Sequence, residues 1–214
     1  MRTIIYVDAF NLYYGCLKGT PYRWLNLESL ARRLLAANNE IRRIKYFTAR
    51  VGARPNDPDQ PTRQQLYLRA LHTLPLVEIH YGHYLSHEVM MPLANPTPGS
   101  PRYARVIKTE EKGSDVNLAT HLIADAYEDA FQVAAIITND SDLLEPVRLV
   151  RTRLKKTVGI LNPQRHPAFV LAESASFFKQ IRPAALKTSQ FPDELQDAVG
   201  LFRKPAAWYE QPGR

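Results

Sequence analysis

A single cysteine, Cys16, stands in 214 residues. Its isolation excludes an intrachain disulfide and a cysteine-built zinc cluster, leaving it as a small packing residue. No apolar run approaches the roughly 20 residues that a membrane-spanning helix requires. The chain enters the strand-like Thr3-Ile4-Ile5-Tyr6-Val7 without a signal-peptide pattern, so a cytoplasmic protein with no membrane partner is expected. Internal repeats and low-complexity tracts are also lacking. So are an ordered Ser/His/Asp set and a glycine loop able to cradle phosphate, which removes those two chemistries from contention.

At 24.4 kDa the chain has room for one α/β domain with a substantial core, plus a tail. Its 45% hydrophobic and 23% charged residues fit a globular protein rather than a disordered one. The formal net charge of +7 points to a polyanionic partner. Basic surroundings are compatible with an acidic centre, because lysines and arginines can hold a phosphate backbone while carboxylates hold metal ions.

Short β-branched runs alternate with helical periodicity, which predicts βαβ units and a mainly parallel sheet. Strands are expected at residues 3–7, 43–49, 77–84, 133–138 and 157–161. Helices are expected at 27–35 after an Asn26 cap, 63–74 after a proline-rich loop, 116–127 after a Ser114 cap, and 142–154. A shorter element at 171–181 completes the domain. Residues 87–105 carry four prolines and a Gly-Ser pair, and are read as a hairpin-like insertion or flap. Closure over substrate, homodimer contact and extension of a sheet edge are all open to it. Residues 182–214 are proline-punctuated and read as a C-terminal appendage.

Four aspartates occupy informative places. Asp8 ends the first strand, Asp115 opens a helix, and Asp140 and Asp142 follow another strand. In parallel sheets, binding residues gather beyond the carboxyl ends of the strands. Carboxylates brought together there repel one another, and a divalent cation relieves the repulsion. Each aspartate has a plainer role as well, since helix N-termini favour acidic caps. Without a Cys/His framework, magnesium or manganese fits better than zinc.

Three blocks carry a resemblance. Tyr6-Val7-Asp8-Ala9-Phe10-Asn11 resembles the V-D-x-x-N opening of NYN domains, the branch of the PIN-like nucleases that includes the LabA-like proteins. Lys112-Gly113-Ser114-Asp115-Val116 is similar to the family's K-G-x-D-V element, and Ile137-Thr138-Asn139-Asp140-Ser141-Asp142 to its S-x-D-S-D element. The sequence departs from the pattern at Ala9, where glycine is common, and at Thr138-Asn139, where Ser-Gly is usual. The resemblance spans residues 1–181 and implies a PIN-like three-layer α/β fold. It further implies Asp8, Asp115, Asp140 and Asp142 around Mg2+ or Mn2+, with metal-dependent hydrolysis of RNA. Asn11 would either support that site or cap the following helix.

Among neighbouring residues, Thr138 and Ser141 are candidates for hydrogen-bonding a phosphate or orienting a carboxylate, with a helix cap favoured for Ser141. Lys112 would reach phosphate or pair with Glu110 or Glu111. Arg50, Arg54 and Arg63 flank the expected active end, with Tyr13, Tyr14 and Trp24 available to stack on bases. His80, His83 and His87 are read as surface or satisfied histidines, and His121 with Asp125 as a simple pair on a helix flank. A phosphatase opening on Asp-x-Asp is disfavoured, because Ala9 and Phe10 follow Asp8. The alternative to an endoribonuclease is an RNA-binding or regulatory module with the same fold and little cleavage.

Overall fold

Strand β1 (Arg2–Asp8) is buried from Thr3 to Asp8, and the two-residue period of a strand sends its side chains to opposite faces. Ile5 and Val7 join one apolar cluster while Ile4 and Tyr6 join a second. Such a strand must be covered on both sides, which calls for the middle of a parallel sheet. The computed structural model, which describes residues 1–97, 99 and 101–209, places it there.

From β1 the chain continues through α1 (Ala9–Leu12), α2 (Leu27–Leu34), β2 (Glu40–Thr48), α3 (Gln60–Leu71) and β3 (Val77–Tyr81). Then come β4 (His83–Pro92), β5 (Tyr103–Lys112), α4 (Ser114–Tyr127), β6 (Val133–Ile137), α5 (Leu144–Thr152), β7 (Thr157–Asn162), α6 (Phe169–Ser174) and β8 (Phe177–Gln180). The last elements are α7 (Pro183–Lys187), β9 (Glu194–Asp197) and β10 (Gly200–Arg203).

Six strands form the central sheet in the order β3-β2-β1-β6-β7-β8, and every adjacent pair is parallel. Leucines of α2 and α3 cover the Ile5 and Val7 face, while α4 and α5 cover the Ile4 and Tyr6 face. The expected PIN-like three-layer α/β architecture is thus present. The chain runs outward from β1 to β3 and then returns to β6 on the other side. That reversal opens a crevice between β1 and β6, the place where open parallel sheets bind ligands.

Helix α2 begins as expected, with the Asn26 side chain accepting the Ser29 N–H at 2.9 Å. Other boundaries differ for local reasons. The strand expected at 77–84 stops at Tyr81, because Gly82 lies where a Cβ would come within 2.4 Å of Glu111 Oε1 and 2.5 Å of the Lys112 carbonyl. The chain turns there into the antiparallel β4–β5 hairpin, paired from His83↔Lys112 to Pro92↔Tyr103. The insertion is therefore longer than 87–105; its Pro98 and Ser100 lie outside the described residues. Helix α3 starts three residues earlier than expected, with Pro61 in its first turn, where a missing N–H costs nothing. The segment at 171–181 resolves into α6 and the edge strand β8.

Two further corrections concern packing. The segment beyond 181 does not hang from the domain: Trp24 packs against its Phe191, Phe202 and Trp208 at ring separations of 5.7, 6.3 and 6.1 Å. All four rings are buried, so this segment completes the core as far as Trp208, and 210–214 lie outside the described residues. On the opposite face, Asp125 is not a partner of His121 on a polar flank. It is buried, and accepts the Lys45 ammonium and the Tyr6 hydroxyl, each at 2.6 Å. His121 lies instead 4.2 Å from the His80 ring, and His80 Nε2 is buried without a hydrogen bond among the described residues.

Candidate metal centre

Asp8 leaves β1 at the crevice and is 3% exposed. Its carboxylate caps α1, with Oδ1 accepting the Asn11 N–H at 2.9 Å and Oδ2 accepting the Asn11 side-chain amide at 2.7 Å. The Thr138 hydroxyl adds a third donor to Oδ2 at 3.0 Å. Burial still outweighs these donors and raises the Asp8 pKa, with the Asp140 charge pushing the same way. Both sequence roles of Asn11 resolve into one contact: it sits inside the first turn and holds Asp8, which is the cap.

Asp140 follows β6, and its Oδ1 accepts the Asp142 N–H at 3.0 Å, capping the turn Ser141–Leu143. Asp115 comes in on the first turn of α4. The cap there is Gly113 rather than Ser114, and its φ of 97° is a left-handed conformation that glycine adopts without strain. Carboxylate oxygens of Asp8, Asp115 and Asp140 lie within 4.8 Å of one another. No described lysine, arginine or histidine forms an ion pair with any of the three. Burial, followed by the charges of Asp8 and Asp140, pushes Asp115 up to about 6.

The remaining expected residues fall outside this group. Asp142 is exposed and is not among the three converging carboxylates; its charge contributes only weakly to the shift at Asp115. Its backbone N–H, not its side chain, is committed to the cluster. Thr138 is fully buried and, of its two expected roles, takes that of orienting a carboxylate rather than contacting substrate: the hydroxyl bridges Asp8 and the Asp140 N–H, the latter at 3.1 Å. Ser141 is exposed and is not the cap. Lys112 lies 3.6 Å from Glu110 at half exposure, the surface pair anticipated as one of its roles. Arg50 stacks over the Tyr81 ring, and Trp24 is core rather than a platform for bases.

The donor set is all hard oxygen, aimed inward, without a countercharge. It therefore fits a divalent cation of the magnesium or manganese kind. The NYN domain profile matches residues 2–181, taking in all three aspartates. This chain belongs to the NYN domain family. Over 99% of its length it is 32% identical to 6-hydroxy-3-succinoylpyridine 3-monooxygenase HspA of Pseudomonas putida, of which it covers 77%. A crystal structure of a protein of unknown function from Vibrio parahaemolyticus superposes with a TM-score of 0.56 at 18% identity, covering 85% of this chain and 93% of that one. That likeness supports the fold alone.

Sequence reasoning missed three features of this NYN domain. Glu111 faces Asp115 closely enough to raise its pKa, and accepts the Ser114 N–H at 3.1 Å. A glutamate three residues before the helix start was its visible signal. Asn139 fastens the loop before α6, donating to the His166 carbonyl at 3.1 Å and accepting the Ala168 N–H at 2.8 Å. Lined in part by Ala9 and Phe10, which follow Asp8 in the chain, a cavity of about 120 Å3 is walled by rings that include Phe10, Tyr13, Tyr46 and Trp208. These rings come from segments far apart in sequence, so no local pattern announced it. Among the described residues, no helix is long and apolar enough to cross a membrane.

Proposed function

We propose that this NYN domain is a metal-dependent endoribonuclease that hydrolyses RNA phosphodiester bonds. The carrying observation is the convergence of Asp8, Asp115 and Asp140 within 4.8 Å, without a protein countercharge, at the switch point of the sheet. Those three residues would hold Mg2+ or Mn2+. When bound, the ion supplies Lewis-acid stabilisation of phosphate charge and acidifies water for in-line attack. Asn11 and Thr138 fix the Asp8 carboxylate, so that little reorganisation is needed when the cation arrives. The net charge of +7 draws the polyanion towards the crevice, with Arg50 and Lys112 exposed near its rim. Water adds to phosphorus, the phosphorus to leaving-oxygen bond breaks, and the leaving oxygen takes up a proton.

The test is cleavage of a mixed pool of structured and single-stranded RNAs with manganese, magnesium or chelator, comparing wild type with Asp140→Asn. Metal-dependent cutting that the variant loses supports the nuclease. RNA binding without cutting by either protein moves the assignment to an RNA-binding regulatory module.

One observation favours a second reading. The aromatic cavity lined by Ala9 and Phe10 has room for a small ring, and a relative at 32% identity is named a monooxygenase of a hydroxypyridine. Oxygen uptake on adding 6-hydroxy-3-succinoylpyridine and a two-electron reductant, with no RNA cleavage, would move the assignment to oxygenation.

A further inference from the structure

The cavity lined by Ala9 and Phe10 is built for a flat ring with polar edges. Its wall is aromatic, yet Gln60, Gln64, Arg23 and Arg63 also reach it. Several of these polar groups are spoken for: Gln64 bonds the Val51 N–H and the Ala49 carbonyl, Arg63 pairs with Asp57, and Arg23 binds the Thr20 and Ala207 carbonyls. Two are not. Tyr46 is 7% exposed, and its hydroxyl has no hydrogen-bond partner among the described residues. The Gln60 side-chain amide likewise has none. Both groups are therefore open to a ligand that enters the cavity.

Size and position narrow the occupant. At about 120 Å3 the space is of the same order as the roughly 150 Å3 cavity that admits benzene, a size suited to one six-membered ring. Ala9 and Phe10, which line it, directly follow Asp8 in the chain. Burial raises the Tyr46 pKa, and the next largest contribution is the Asp8 charge, which places the hydroxyl within electrostatic reach of the acidic group. The cavity wall and the acidic group thus share the segment Asp8–Phe10.

We infer that this cavity is a pyrimidine-base pocket, in which the Tyr46 hydroxyl and the Gln60 amide meet the polar edge of an unstacked uracil or cytosine while the surrounding rings flank its faces. The pocket gives the endoribonuclease a preference for pyrimidines beside the scissile phosphate. This rests on the proposed nuclease function for its consequence, whereas occupancy by the ring does not. A purine carries a fused five-membered ring that a space of this size does not also enclose. Stacking on aromatic side chains and hydrogen bonds to an exposed base edge are the usual means by which single-stranded RNA is read.

The experiment is titration of the full chain, in chelator, with uridine and cytidine monophosphates, adenosine monophosphate, and 2-hydroxypyridine as a free ring, followed by calorimetry. Tyr46→Phe and Gln60→Ala are compared with wild type; both remove atoms that bond no other part of the protein, so folding is preserved. The pyrimidine nucleotides should bind at least about fivefold more tightly than the purine, and each variant should weaken them by about fivefold, the worth of one hydrogen bond. Absence of pyrimidine binding, equal binding of the purine, binding of only the free ring, or affinities untouched by both substitutions would each overturn the assignment. Because no metal is present, loss of RNA cleavage in Asp140→Asn does not bear on this result. Failure of the nuclease and failure of the pocket are therefore read separately.

Discussion

Thr138 and Asp8 are joined across the β1–β6 boundary by a hydrogen bond of 3.0 Å from the threonine hydroxyl to Oδ2 of the carboxylate. The same hydroxyl accepts the Asp140 N–H at 3.1 Å, so one buried oxygen ties together two of the three converging acidic residues. Thr138→Val keeps the shape but orphans the Asp140 N–H. It should cost about 1–3 kcal/mol of stability and about 10- to 100-fold in metal affinity, while Thr138→Ser restores most of both. Urea unfolding with manganese titration measures the two effects; unchanged manganese affinity in the valine variant would show that the bridge does not position Asp8.

Stability should depend on pH in a direction set by burial. Burial and neighbouring charge push Asp115 up to about 6, and burial raises Asp8 as well. The folded values exceed the unfolded ones, so the folded state binds more protons. That contribution is fully present below about pH 4, the unfolded aspartate value, and is lost as pH rises through about 6. A divalent cation takes the place of those protons. The rise in Tm on adding manganese should therefore be small at the acidic end of this window and largest above its neutral end. A manganese effect that stays constant across the window would rule out these carboxylates as the ligands.

Asp140 and Asp142 are distinguished by geometry despite their shared motif. Asp140→Asn should weaken manganese binding by more than about 100-fold, as loss of a direct ligand exceeds loss of an outer partner. Asp142→Asn should cause a much smaller loss, because its side chain is exposed and its backbone supplies the bond to Asp140. Calorimetric titration of both variants decides the matter, and equal losses would restore Asp142 to the ligand set.

Away from the site, Lys45→Met leaves Asp125 buried beside Tyr6 without its cation. A loss of about 3–5 kcal/mol is expected, with partial recovery when Asp125→Asn is added. Denaturant midpoints of the single and double variants provide the check. An additive double variant would mean that the pair is not coupled.

Trp208→Ala should cost about 3–5 kcal/mol, as for other buried aromatic truncations, because the ring packs 6.1 Å from Trp24. A thermal midpoint left unchanged would return the C-terminal segment to the status of an appendage.

Much of the architecture was legible because it follows from period and polarity. The centre of β1, Ile4 to Val7, is an unbroken apolar run, and the helical spacing of Leu118 and Leu122 marks the covering face of α4. The ordered aspartate motifs likewise marked three elements that end at one crevice. Boundaries were less legible where a neighbour decides them. Gly82 ends β3 because Glu111 and the Lys112 carbonyl occupy the space of a side chain, and those contacts arise about 30 residues later in the chain.

The sequence by itself determined the layers and the supply of carboxylates, since strand alternation, helix periodicity and residue chemistry are local properties. Only the tertiary structure decided which carboxylates meet. It brought Asp115 to Asp8 and Asp140 and left Asp142 outside, although Asp140 and Asp142 are two residues apart. It also buried Thr138 between two aspartates, paired Lys45 with Asp125 and drew Trp208 into the core. Such contacts depend on where separate elements cross, and a chain's local pattern carries no record of that distance.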